Sequence, residues 1–183
     1  MNDIATIMQA QAHQLAPEAQ EEKRQLLRFA LGDDLYGIPI DSVREILQVG
    51  VMTQVPMMPG FVRGVMNLRG AVVPVLDLGL RLGLQPTRIS RRTCIVIVET
   101  FNHEGTPQRH GVLVDAVHEV LEVTHEQINA VPALGTRVAP HFIAGVTRVH
   151  DQSVEVLEVP RVFDDTELSR LVEEHCDQSR WLH

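Results

Sequence analysis

The stretch 61–78 reads FVRGVMNLRGAVVPVLDL and consists of two apolar runs joined through Asn67-Leu68-Arg69-Gly70. A second stretch, 142–159 (FIAGVTRVHDQSVEVLEV), repeats its frame. Apolar runs that turn back on each other through a Gly-containing turn are typical of a β-hairpin. The residues identical in the two copies are Phe61/Phe142, Gly64/Gly145, Val65/Val146, Val73/Val154, Val75/Val156 and Leu76/Leu157.

A second block, upstream of the hairpin, is also duplicated. Residues 37–47 (GIPIDSVREIL) align with residues 111–121 (GVLVDAVHEVL) at Gly, Asp, Val, Glu and Leu. Equal order with slightly growing spacing is what insertions confined to loops produce, so the sequence predicts two related halves, each a single supersecondary unit used twice. Asp41 is expected to cap a short helical turn over 42–47.

Short apolar runs separated by turns indicate an all-β fold. We expect two five-stranded β-barrels packed together over residues 26–163, the first at about 26–85 plus a crossover and the second at about 93–163. Residues 1–25 are expected to form a tail or short helix. Residues 164–183 predict an amphipathic helix, because Leu168, Leu171, Val172 and Cys176 share one face. That face has two open interpretations: packing on the neighbouring barrel, or docking a partner.

The composition excludes several classes of partner. A formal net charge of −8 and an aromatic content of 4% disfavour a nucleic-acid surface and attraction to anionic lipid. Two cysteines form no disulfide framework or metal spacing. The N-terminus lacks the pattern of a signal peptide, and no stretch approaches the roughly 18 apolar residues of a membrane span. We therefore expect a cytoplasmic protein without direct membrane insertion.

No arrangement of residues predicts catalysis. The sequence contains no GxSxG elbow, phosphate-binding glycine loop, HExxH or CxxC motif, and the nine histidines are dispersed. Asp41 and Glu45 recur as Asp115 and Glu119, which favours a structural role over acid–base chemistry. We expect no catalytic residue, no cofactor and no metal.

Arg69 has two interpretations. It is a turn residue beside Gly70, or it forms a bidentate ion pair with Glu45 that fixes two elements and presents a charged edge for binding. The second interpretation is motivated by the repeat, in which Glu45 is kept as Glu119 while Arg69 becomes His150.

The segments FALGDDLYGIPIDSVREIL, VPMMPGFVRGVMNLRGAVVPVLDL and HGVLVDAVHEVLEVTHEQI together resemble the CheW family of chemotaxis coupling proteins over about residues 26–163. The resemblance implies two SH3-like barrels with a hydrophobic seam between them. It implies an adaptor that links the cytoplasmic tips of methyl-accepting receptors to the regulatory domain of a CheA-type histidine kinase, in receptor arrays at the inner face of the membrane. The partner-binding residues that it implies are Val43, Glu45, Gly64, Asn67, Arg69, Gly70, Val114 and Val117.

Two other functions remain open from sequence. A small-ligand-binding β-barrel regulator would be stabilised by a metabolite. An enzyme would need a polar pocket with converging titratable groups, for which the sequence offers no constellation.

Overall fold

The computed structural model describes residues 22–132, 135–164, 166 and 168. β-Strands dominate this part of the chain, which confirms the mostly β class. The strands are β1 Lys23–Leu31, β2 Asp34–Pro39, β3 Val43–Gln48, β4 Val62–Leu68, β5 Ala71–Asp77, β6 Cys94–Phe101, β7 Pro107–Val114, β8 Ala116–Thr124, β9 Ile143–Val149 and β10 Gln152–Leu157. Short helices follow the hairpins, α1 at Leu78–Arg81 and α2 at Val159–Val162, and 3₁₀ turns lie at Ile40–Ser42, His125–Gln127 and Pro140–Phe142.

The strands form two five-stranded sheets, and each repeat contributes strands to both of them. The first sheet has the order β8-β1-β2-β10-β9 and the second has the order β3-β6-β7-β5-β4. Replacing each strand by its copy five places away along the chain converts one order into the other. The duplication predicted from sequence is therefore a structural repeat, β1–β5 followed by β6–β10.

The exchange corrects the predicted division into barrels at 26–85 and 93–163. In the first sheet, β1 pairs with β8 and β2 pairs in parallel with β10. In the second sheet, β3 pairs with β6 and β5 pairs in parallel with β7. Each sheet thus takes strands from both halves of the chain, because the two repeats carry the same apolar pattern and either copy can supply the partner strand.

Within the described part of the chain, buried apolar residues form three clusters. One belongs to the first sheet and includes Leu26, Leu121 and Val156, and another belongs to the second sheet and includes Val75 and Ile97. The largest lies between the sheets and takes residues from both, together with α1 and α2. The sheets therefore share a common core, and burial of this core is the main favourable contribution to their association.

Both hairpins are held by a bridge to the loop that precedes them. The backbone of Thr53 exchanges two hydrogen bonds of 2.9 Å with Val65, and Asn129 does the same with Val146 at 2.8 and 2.9 Å. The approach is so close that a Cβ at Gly64 would lie 2.5 Å from the Thr53 carbonyl oxygen. This contact explains why both copies keep glycine at this position.

The predicted helical turn over 42–47 is wrong. A 3₁₀ turn covers only Ile40–Ser42 and the chain then continues as β3, in which half-buried and exposed residues alternate. The period of two in VREILQ is that of a strand, and it prevails over the capping signal of Asp41. The Ser42 hydroxyl closes the 3₁₀ turn by donating to the Pro39 carbonyl at 2.6 Å.

The terminal predictions fall mostly outside the described residues. The strand β1 begins at Lys23, so the predicted tail 1–25 overlaps it, and residues 1–21 lie outside the described part. Of the predicted helix at 164–183, Asp164, Thr166 and Leu168 are described, and the Leu168 N–H donates to the Asp164 carbonyl at 2.8 Å. Among the described helices, none has the length and apolar character needed to cross a membrane.

Candidate partner-binding site

The tip of the β4–β5 hairpin is a two-residue turn with both residues in the left-handed region. Arg69 has φ 51° and Gly70 has φ 86°, the signature of a type I′ turn whose twist matches the flanking strands. The Gly70 N–H donates to Asn67 Oδ1 at 2.9 Å and fixes the tip. Asn67 and Gly70, predicted as partner-binding residues, therefore shape the turn that presents Arg69.

Arg69 contacts Glu45, as the ion-pair hypothesis predicts. Its Nη2 lies 3.1 Å from Glu45 Oε2. The contact runs through one guanidinium nitrogen, where a two-nitrogen contact was expected. Because β3 and β4 are the outer strands of the second sheet, the ion pair joins the two edges of that sheet.

The two charged groups differ in exposure. The Arg69 side chain is 80% exposed and the Glu45 side chain is 23% exposed. An ion pair at such an exposed site contributes only about 0.2–1 kcal/mol to stability. Arg69 thus keeps most of its guanidinium open to solvent, and an arginine held in the left-handed region, where non-glycine residues are disfavoured, suits a recognition role better than a stabilising one.

The copy of Glu45 in the second repeat binds a different arginine, which lies on the neighbouring strand of the same sheet. Glu119, the copy of Glu45, binds Arg28 of β1, whose Nη2 lies 2.8 Å from Oε1. Arg28 Nη1 also donates to Gln152 at the start of β10, at 3.1 Å. A hydrogen bond from the backbone of Glu119 and the Arg28 guanidinium together lower the pKa of Glu119. The Arg28 side chain is 11% exposed and that of Glu119 is 48% exposed, so in this pair the arginine is the buried partner, whereas in the Glu45–Arg69 pair the arginine is the exposed one.

Sequence reasoning missed Arg28. Its signal is an arginine inside the otherwise apolar run LLRFAL, since a charged residue in a buried strand needs a partner. His150, which replaces Arg69 at the second hairpin tip, and Asp151 keep the same turn conformation, with φ 49° and 62°. The two tips are alike in backbone and differ in the charge they present.

The other predicted site residues are divided between surface and core. Val43 and Val117 are half-buried and pack against the core between the sheets. Val114 and Gly64 are buried, so the Val114 side chain shapes the seam and is not displayed on it. The same strands carry two exposed apolar residues that the sequence did not single out. Ile46 follows Glu45 on β3 and faces the opposite side of that strand, and Val72, which is 70% exposed, pairs with Asn67 across the hairpin.

A second charged cluster lies beside β3. Glu99 on β6 accepts hydrogen bonds from Arg44 and Arg109. The hydrogen bond from Arg44, and to a smaller extent the one from Arg109, lower the pKa of Glu99. Among the described residues, no group of three or more His, Cys, Asp or Glu side chains is placed to hold a metal ion.

Comparison with known proteins identifies the family. The model of the CheW-like domain matches residues 25–167. A protein of Rhizobium etli named probable chemotaxis protein CheW is 34% identical over 144 residues, which cover 79% of this chain and 90% of that protein. The chemotaxis protein CheW of Treponema pallidum is 30% identical over 161 residues, covering 87% of this chain and 94% of that protein.

A solved structure agrees with the sequence comparisons. The crystal structure of the scaffolding protein TtCheW from Thermoanaerobacter tengcongensis is similar with a TM-score of 0.69 at 29% identity, covering 80% of this chain and 91% of that one. Residues 25–167, which the family model matches, include both hairpins and strands of both sheets. The chain therefore belongs to the CheW-like family.

Proposed function

We propose that the protein is a non-catalytic signalling adaptor that couples methyl-accepting chemotaxis-type receptors to a CheA-type histidine kinase. The observation that carries this proposal is the Glu45–Arg69 contact at the edge of the second sheet. It holds an exposed arginine at the tip of a hairpin whose second strand also carries Val72, an exposed apolar residue. A charged anchor next to apolar surface is the composition of a protein-binding hot spot. The names of the relatives, chemotaxis protein CheW and scaffolding protein, support the same function.

The proposed mechanism is mechanical. The shared core makes the two sheets, which would correspond to two SH3-like barrels, move as one body. The edge of the second sheet would bind the regulatory domain of the kinase, and the seam beside Val117 would bind the receptor tip. A change in the receptor biases the kinase only if the adaptor holds both partners in fixed register. The protein would act in the cytoplasm, in receptor arrays at the inner face of the membrane.

The test measures binding of Arg69→Ala and Glu45→Ala to the kinase regulatory domain and to a receptor cytoplasmic fragment by calorimetry. We expect Arg69→Ala to weaken kinase binding by about tenfold or more, as truncation of a hot-spot arginine does. Its circular dichroism should stay unchanged because the ion pair adds little stability. Arg148→Ala is the matched control, since Arg148 is an exposed arginine on the equivalent hairpin of the second repeat.

A charge-swapped variant separates two roles of the ion pair. If the pair only positions the hairpin, Glu45→Arg combined with Arg69→Glu restores binding. If the Arg69 guanidinium touches the partner, the swapped variant remains weak, which is the result we expect. Wild-type affinity of Arg69→Ala and Glu45→Ala for both partners would refute the proposed surface.

A further inference from the structure

The middle of the chain carries a charge opposite to that of the whole protein. The protein has 24 acidic and 16 basic residues, yet residues 46–98 contain six arginines and a single acidic residue, Asp77. Asp77 is fully buried, and its carboxylate accepts hydrogen bonds from the Leu80 N–H and from the N–H and hydroxyl of Thr87. The one carboxylate of this stretch therefore does not reach the surface, and the exposed charges of the stretch are positive.

Three of the six arginines lie together in the linker between α1 and β6, namely Arg88, Arg91 and Arg92. All three are exposed. Within the described part of the chain their guanidinium groups form no ion pair. Neighbouring like charges repel one another, and an anionic group bound between them would relieve that repulsion.

Short-range hydrogen bonds hold this linker in a defined conformation. The Thr93 hydroxyl donates to the Arg88 carbonyl at 3.1 Å and accepts from the Ser90 N–H at 2.8 Å. The Ser90 hydroxyl oxygen in turn accepts from the Arg92 N–H at 3.2 Å. Thr87 and Thr93 are both buried, so the segment is anchored at each end. A loop that is ordered before binding presents its side chains at a reduced cost in conformational entropy.

The linker borders a concave surface that contains a fourth arginine. A cavity of about 470 Å³ opens between the loop that precedes β4, the start of β4 and the linker. Arg63 lies in its lining, with Nη1 3.6 Å from Asp77 Oδ2 and 31% of the side chain still exposed. Ile89, which stands between the linker arginines and is 54% exposed, also lines it. The other lining residues are Met52, Gln54, Val55 and Val62.

We propose that this surface, formed by Arg63, Arg88, Ile89, Arg91 and Arg92, binds an acidic segment of a partner protein; we call it the arginine face. Carboxylates of the segment pair with the guanidinium groups, whose planar fork matches the geometry of a carboxylate. An apolar side chain of the segment enters the cavity beside Ile89. Charge complementarity selects the partner and the apolar contact fixes its position.

The composition of the arginine face favours a peptide over other anions. None of the described residues that line its cavity is aromatic, so the cavity offers no ring on which a base can stack. A sugar–phosphate backbone also supplies no apolar side chain for the cavity. The net charge of −8 opposes the long-range attraction on which binding to nucleic acids and anionic membranes depends.

The arginine face is separate from the Glu45–Arg69 contact. Arg63 lies at the start of β4 and Arg69 follows its end, a separation of about 20 Å at the rise of a β-strand. The proposal therefore does not rest on the proposed adaptor function. Arg69→Ala should leave the affinity for an acidic peptide close to that of the parent, whatever it does to binding of the kinase.

The first test measures binding of a labelled synthetic peptide, in which aspartate and glutamate residues surround a central leucine, to the full-length protein by fluorescence anisotropy. The double variant Arg88→Glu with Arg91→Glu should weaken binding by about tenfold or more, because it replaces attraction by repulsion. The matched control is Arg24→Glu with Arg148→Glu, two exposed arginines outside the arginine face. It changes the net charge equally and should keep most of the affinity. Equal losses in the two double variants would show an effect of net charge alone and would overturn the proposal.

The second test concerns the apolar contact. A companion peptide has serine in place of the leucine, and Ile89→Ser should weaken binding of the leucine peptide while leaving that of the serine peptide unchanged, as a double-mutant cycle requires for a direct contact. Val72→Ser is the control, since Val72 is exposed and does not line the cavity. Circular dichroism should stay unchanged, because each replaced side chain is exposed. An Ile89→Ser variant that binds both peptides as the parent does would remove the cavity from the site and refute the proposal.

Two further probes decide between classes of partner. A labelled oligouridylate RNA and vesicles containing phosphatidylserine are compared with the peptide at equal concentration of negative charge. Tighter binding of either probe, lost in Arg88→Glu with Arg91→Glu, would assign the face to nucleic acid or to a membrane and overturn the proposal. Absence of peptide binding by the parent at low ionic strength, where such contacts are strongest, would overturn it as well.

Discussion

Arg81 Nε donates a hydrogen bond of 2.9 Å to the backbone carbonyl of Val162, which is the residue at its own position in the second repeat. The Arg81 guanidinium lies over the rings of Phe142, at 4.8 Å, and Phe61, at 5.8 Å, and these two residues are also counterparts. A single buried arginine therefore contacts equivalent positions of both repeats. The second repeat has Val162 at the position of Arg81, so this contact between the repeats occurs once and is not duplicated.

Arg81→Ala should lower the free energy of unfolding by about 2–4 kcal/mol, because it removes a buried hydrogen bond and two cation–π contacts and leaves a cavity. Urea denaturation measures this change. Arg148→Ala, at an exposed position, should stay within about 0.5 kcal/mol of the parent. A value near zero for Arg81→Ala would mean that the cost of burying the charge offsets its contacts.

Gly64→Ala and Gly145→Ala should each cost about 2 kcal/mol or more, since the added Cβ has no room and Gly64 has a φ of 147°. At Gly64 the Cβ would meet the Thr53 carbonyl oxygen at 2.5 Å, and at Gly145 it would meet the Ile128 side chain at the same distance. The melting temperature reports both effects. Gly60→Ala is the control, because nothing lies within 4 Å of a Cβ there.

The Gly64 result bears on the binding site. Gly64 is among the residues that the family resemblance implies for partner contact, yet its position is determined by the bridge to Thr53. Loss of partner binding in Gly64→Ala should therefore accompany loss of stability. Normal stability with lost binding would instead place the partner against Gly64 itself.

Glu155→Gln should stabilise the protein near neutral pH. Burial, and secondarily the negative charge of Asp34, raise the pKa of Glu155, and its Oε2 is buried without a hydrogen-bond partner among the described residues. A raised pKa means that the charged carboxylate is penalised in the folded state, so this penalty is relieved as the pH falls through the folded pKa. The advantage of Glu155→Gln should accordingly shrink toward about pH 4, near the ordinary range of a glutamate.

Replacing Glu99 by glutamine should change stability in the opposite direction from Glu155→Gln when the two are compared over the same pH range. Arg44 and Arg109 lower its pKa, so its contribution to stability is present above the ordinary glutamate pKa and is lost as the pH falls through the lowered folded pKa. Glu99→Gln should destabilise near neutrality and approach the parent in acid. Identical pH profiles for the Glu99→Gln and Glu155→Gln variants, each compared with the parent, would contradict both assignments.

The hairpins and the Glu45–Arg69 contact could be predicted from sequence because their signals are local. Alternating apolar residues and a Gly-containing turn specify each hairpin without reference to the rest of the fold. The ion pair followed from one difference between the copies, Arg69 against His150. In each case a short range of sequence contained the information.

The exchange of strands could not be predicted in this way. The pattern of each strand fixes which of its faces is buried, but β2 finds an equally suitable neighbour in β5 of its own repeat and in β10 of the other. Arg81 was missed for a related reason: its partners, Val162 and Phe142, are distant in sequence and belong to the second repeat. Contacts between residues that are distant in sequence are hard to predict from one sequence when two similar repeats offer equivalent partners.

Because each sheet contains strands of both repeats, a chain with only one repeat could not complete either sheet by itself. A polypeptide with only one unit would lack the neighbours that β1, β2 and β3 require, and it could obtain them only by trading strands with an identical molecule. Its folding would then depend on concentration, as in any obligate dimer. Joining two units in one chain makes that exchange intramolecular, so the protein folds at any dilution and each unit is free to acquire its own surface residues.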